Sequence, residues 1–230
     1  MKNLAATFAT LAASLCVSQA TVVWTGAASA DPFDDGNWDL SGSGVTAVDS
    51  NVSVSDDIVV TDGNIAIPNL GGQVRLQVGS GFSITLDNST LTLVGGGNDG
   101  VGGAPGGTGV EVYLTNGSQF NPFFIVNAVS LYIDGTSSAI FGGGGNPVNL
   151  STIDLTRGAE LSFRNETPAA FTSEHLSKIT VDGEPAVAGV NILINPFNGA
   201  AGSAITVIPE PSALGLMGLS ALVLFRRRRR

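Results

Sequence analysis

The sequence predicts an all-β fold, a short parallel β-helix (solenoid), on three observations. Apolar and polar residues alternate in bursts of strand length, turns of Gly, Asn, Asp and Ser separate the bursts, and the bursts repeat one another. The copies are I-V-V-T-D-G-N-I-A-I from Ile58, L-Q-V-G-S-G-F-S-I-T-L from Leu76, V-Y-L-T-N-G-S-Q-F from Val112, L-Y-I-D-G-T-S-S-A-I-F from Leu131 and I-D-L-T-R-G-A-E-L-S-F from Ile153, with a weaker I-T-V-D-G-E-P-A-V from Ile179. Each holds two apolar residues one apart, a polar turn and a second alternating pair. The period is near 20, apart from one double-length gap between Leu76 and Val112, where S-T-L-T-L (Ser89 to Leu93) supplies part of the missing coil. One coil cannot bury its apolar side chains alone. Stacked coils line them up into a continuous core while their backbones pair. The alternative is a β-sandwich, whose short strands also recur at intervals of about 8 to 12 residues.

The elements follow in chain order. Residues 1–20 carry Lys2, an apolar run from Leu4 to Val17, and small residues at Ser18 and Ala20. That is the order of a secretory signal helix, to be cut by signal peptidase between Ala20 and Thr21. Cys16, the sole cysteine, leaves with it, which excludes a disulfide, a thiolate nucleophile or a zinc-thiolate centre in the exported chain.

The exported domain is expected over residues 21–208. Between residues 21 and 211 only Arg75, Arg157, Arg164 and Lys178 are basic, against nineteen acidic residues, a formal charge of 4 − 19 = −15. Such a surface repels nucleic acid and anionic lipid and attracts divalent cations. The glycine-rich segment 95–109 has almost no apolar side chains and is predicted to be a surface loop leaving the solenoid. It lacks the Lys-Ser or Lys-Thr of a phosphate loop and the spacing of a calcium-binding Gly-Gly-x-Gly-x-Asp repeat.

Candidate chemistry is sparse, and no catalytic residue, metal ligand or cofactor is assigned. His175, the only histidine, sits in T-S-E-H-L-S-K without a nucleophile elbow and is expected on a surface turn or short helix. Asp134, Asp154 and Asp182 lie near apolar pairs in different copies. Glycosidase chemistry would need two carboxyls at a set separation, one with a raised pKa, and the registers of these three do not match. Asp31, Asp34 and Asp35 lie in D-P-F-D-D-G-N-W-D, an oxygen-rich stretch without the alternating spacing of an EF-hand loop.

The last segment, 209–230, has three parts in order: Pro209-Glu210-Pro211, the apolar run 213–225, and Arg226, Arg227, Arg228, Arg229 and Arg230. As a transmembrane helix the run of 13 residues spans only about 20 Å, against a hydrocarbon core of about 30 Å, so it suits a temporary anchor. The arginines would stay on the cytoplasmic side. These residues resemble the PEP-CTERM sorting signal of Gram-negative bacteria that produce exopolysaccharide. The resemblance implies recognition of the tripeptide by exosortase, transient anchoring in the inner membrane, removal of the tail and delivery to the envelope or matrix. A second resemblance is at the other end. V-V-W-T-G with Trp24, followed by G-N-W ending at Trp38, is similar to the start of autotransporter-like β-helix proteins, and implies that the two tryptophans cap the first coil.

The expected function is therefore that of an exported, exosortase-sorted, non-catalytic protein of the extracellular matrix or cell envelope, adhesive or in contact with exopolysaccharide. The alternative is a small β-helix carbohydrate-active enzyme, a polysaccharide hydrolase or lyase.

Overall fold

The computed structural model describes residues 21–70, 73–93 and 99–208. Its strands make three sheets of nine, seven and four strands, wound as a β-solenoid of about five turns. A full turn visits the four-, nine- and seven-stranded sheets in that order. The first runs through Ser53–Val54, Asp57–Thr61 and Asn64–Ile67, and the second through Arg75–Val78, Ser83–Asp87 and Thr90–Leu93. Gly100–Gly103, Val110–Thr115 and Gln119–Asn121 form the third, and Phe124–Val126, Val129–Ile133 and Ser138–Phe141 the fourth. The last turn keeps Thr152–Leu155 and Glu160–Phe163, after which helix α1 (Pro168–Glu174) leads to Ile179–Val181. Strands of successive turns pair in parallel. A β-sandwich is built from antiparallel sheets, so that alternative is set aside.

The alternation within each copy is what closes the core. In the nine-stranded sheet Val22, Ile58, Ile84, Val112, Leu131, Ile153 and Ile179 stand in register, and all are buried. Turning from this sheet to the next leaves backbone groups inside the corner with no strand partner. Serine hydroxyls satisfy them: Gly63 N–H donates to Ser89 Oγ at 3.0 Å, Ser89 N–H to Ser118 Oγ at 3.1 Å, and Ser118 N–H to Ser137 Oγ at 3.1 Å. Outside the same corner Asp62, Asn88 and Asn116 take the left-handed backbone conformation that short polar side chains tolerate.

Two expectations are corrected. The copy starting at Leu76 is out of phase: Leu76 belongs to the four-stranded sheet, and the counterpart of Ile58 is Ile84, followed by Val112. The nine-stranded ladder therefore steps 26 and then 28 residues here, with no double gap. The glycine-rich segment is also not wholly a loop, because Gly100–Gly103 is a buried strand paired with Arg75–Val78 and Phe124–Val126. Glycine is required by close approach. A Cβ on Gly100 would lie 2.8 Å from Phe124 O, and one on Gly102 would lie 2.6 Å from Val126 O.

Both ends of the core are covered. At the N-terminal end Trp24 and Trp38 pack edge to face, centroids 4.8 Å apart, both buried, with Trp38 Nε1–H donating to Pro32 O. At the other end α1 and an antiparallel hairpin, Ile192–Phe197 with Gly202–Val207, close the last coil. Thr167 caps α1 by accepting the Ala170 N–H, and Pro168 begins the helix where a missing N–H costs nothing. Among the described residues no helix is long and apolar enough to cross a membrane. The signal segment 1–20 and the apolar run 213–225 lie outside the described residues.

Candidate functional site

The outer face of the nine-stranded sheet carries the largest grouping of functional side chains. Parallel register places Tyr113, Tyr132, Asp154 and Thr180 side by side on successive coils. The two tyrosine rings stack at 5.0 Å and 11°. Glu111 holds both from one side, taking the Tyr113 hydroxyl at 2.6 Å and that of Tyr132 at 3.4 Å. Burial, together with the hydrogen bond to Glu111 and its charge, pushes the Tyr113 phenol up to about 12, so it acts as a donor. Beside Tyr132 opens a groove of about 280 Å³ lined by Ser130, Tyr132, Thr152, Asp154, Lys178 and Thr180.

The three candidate aspartates each have partners of their own. Asp154 Oδ1 accepts from Thr180 Oγ1 and from Gly183 N–H, tying its coil to the next. Asp134 occupies the following corner. Desolvation raises its carboxyl, but hydrogen bonds from Ser137, Asn116 and Thr136 outweigh that and hold it below the usual carboxylate range. Asp182 lies two coils further on and is partly exposed, 3.6 Å from Arg157.

At the N-terminal end, Asp31, Asp34 and Asp35 each accept a backbone N–H, from Phe33, Gly36 and Val48 respectively. They shape the loop around Asn37. A different group converges at the C-terminal end: the ligand atoms of Glu166, Glu174 and His175 all lie within 4.8 Å of one another. Here His175 departs from the surface position expected of it. It is the C-cap of α1, wholly buried, its ring stacked on Phe163 at 5.4 Å and 7°. Packing of Phe171 and Phe163 over the last coil draws it inward.

Sequence reasoning missed the tyrosine pair and the two glutamates. The tyrosines had a signal, since V-Y-L and L-Y-I carry Tyr at the same place in adjacent copies and the chain has only 2. Glu166 and Glu174 had none, because one precedes and the other ends a helix that breaks the repeat. Of the processing residues, Thr21 starts the first strand, pairing with Asp57. Ala20, Pro209, Glu210, Pro211 and Arg226 to Arg230 lie outside the described residues.

Residues 207–230 match the PEP-CTERM protein-sorting motif. The motif marks an exosortase substrate: it implies export, C-terminal membrane anchoring before cleavage, and processing by exosortase. No curated protein and no solved structure matches the chain.

Proposed function

We propose that this exosortase-sorted protein is a non-catalytic component of the cell envelope or extracellular matrix that contacts exopolysaccharide through the outer face of its nine-stranded sheet. The groove beside Tyr132 carries the reading. One wall is a tyrosine already stiffened by stacking on Tyr113, so little ordering cost remains when a sugar ring lies against it. Hydroxyls of Ser130, Thr152 and Thr180 also line the groove, and the Lys178 ammonium is fixed by Asn146 Oδ1 and Asn149 O. Neutral hydroxyls beside one cation and one carboxylate suit a polyhydroxylated or acidic glycan better than an apolar ligand.

The enzymatic alternative would use Asp134, Asp154 or Asp182. The hydrogen bonds that pin Asp154 and hold the Asp134 carboxyl low favour the non-catalytic reading. The test uses the full chain in affinity electrophoresis against a panel of neutral and acidic polysaccharides, with reducing ends assayed in parallel. Retention that falls at least fivefold in Tyr132→Ala, without new reducing ends, is the expected result. Turnover abolished by Asp154→Asn would establish the enzyme instead, and equal migration of both chains in every gel would remove the glycan.

A further inference from the structure

We propose that Glu166, Glu174 and His175 form a binding site for one divalent transition-metal ion, with Zn²⁺ the fitting ion, which fastens α1 to the end of the solenoid. Two of the three side chains are buried with unpaired polar atoms, although the Glu166 carboxylate also accepts the Gly145 N–H. His175 is 0 % exposed and neither ring nitrogen has a hydrogen bond, while Glu166 is 4 % exposed and its Oε1 has none. A buried imidazole and carboxylate left unpaired are each costly, and native interiors rarely keep both. Their convergence with a third ligand gives them a common purpose.

The geometry suits coordination. Stacking on Phe163 occupies the face of the imidazole and fixes its plane, whereas a metal bonds at the ring edge, where the nitrogen lone pair lies. Ligand atoms around tetrahedral zinc stand about 3.4 Å apart. The three ligand atoms already lie within 4.8 Å of one another, and the exposed Glu174 side chain has room to turn toward the other two. A neutral imidazole offers its lone pair, and a divalent cation neutralises two carboxylates that otherwise repel. Lys178 does not serve them, since its ammonium is held by Asn146 and Asn149. One nitrogen and two carboxylates favour zinc over calcium, which takes six to eight oxygens.

The test is calorimetric titration of the chelator-stripped full chain with ZnCl₂ and, separately, CaCl₂, followed by thermal melts. One zinc per chain is expected, with a melting temperature raised by about 5 °C at saturation. Glu174→Gln should weaken zinc binding at least tenfold while leaving the metal-free melt unchanged, because that side chain is exposed. His175→Gln should abolish it. Absence of zinc binding would overturn the proposal, as would wild-type affinity in Glu174→Gln and His175→Gln, or calcium binding as tight as zinc.

Discussion

The two ends of the solenoid face one problem, an open apolar core, and solve it with different chemistry. At the N-terminal end every polar group of the buried Asn37 side chain is used. Its carbonyl oxygen accepts from Ala28 N–H and Ser29 N–H, and its NH₂ donates to Ser29 Oγ and Asp31 O. The tryptophan pair supplies the apolar cover. At the C-terminal end Phe141, Phe163 and Phe171 supply that cover, yet His175 is buried against two of them, with Glu166 near it, and both keep unpaired atoms. Closing a core requires apolar area and satisfied polar groups, which the first end shows to be sufficient. The polar groups of the second end exceed that requirement, so they need a reason other than closure.

The largest effect should come from the element both ends share, aromatic cover. Phe163→Ala removes a ring that touches Phe141, Phe171 and His175, and should cost about 3–5 kcal/mol in urea denaturation. A loss below about 1 kcal/mol would mean that the C-terminal cap folds independently of the core. Next is the satisfied polar group: Asn37→Leu leaves loop donors and an acceptor unpaired, and should cost about 2–3 kcal/mol by the same measurement. The opposite sign is expected at the other end. His175→Phe keeps the stacked ring and deletes two unpaired nitrogens, so the metal-free chain should gain about 1–2 kcal/mol. A loss as large as that of Asn37→Leu would erase the contrast.

The smallest effect lies between the ends, at the corner aspartate. The Asp134 carboxyl is held below its unfolded value, so its stabilisation is present above the unfolded pKa and disappears as pH falls through the folded one. Melts of Asp134→Asn and the native chain should differ by under about 1 kcal/mol at pH 7, given solvent screening, and converge as pH falls through the depressed folded pKa. A difference that grew in acid would reverse the assignment.

The coil pattern was legible because stacking imposes it on every turn. Ile58, Val112, Leu131, Ile153 and Ile179 all occupy the ladder that their spacing implied. Phase was harder to read, since an apolar pair such as Leu76 and Val78 looks the same on any of the three sheets. The corner residues distinguish them: Asp62-Gly63, Asn88-Ser89 and Asn116-Gly117 mark the turn out of the nine-stranded sheet, and nothing similar follows Val78. The strand Gly100–Gly103 was illegible from hydropathy because it is held by backbone pairing and close approach, with a single apolar side chain at Val101. The final hairpin did leave a signal. Ile192 and Ile194 alternate on one side, Ile205 and Val207 on the other, and Asn198-Gly199 lies between them. As for the candidate sites, His175 was noticed only for being unique, because its burial depends on α1 packing across the coil end.

The last strand, Gly202–Val207, also sets how far the body can stray before it is released. Its final hydrogen bond, Ile208 N–H to Asn191 O at 2.8 Å, anchors the chain one residue before Pro209. Only residues 208–212 separate it from the apolar run, a leash of at most about 18 Å even when fully taut. Anchored through the sorting motif before cleavage, the body is held close to the bilayer until exosortase cuts.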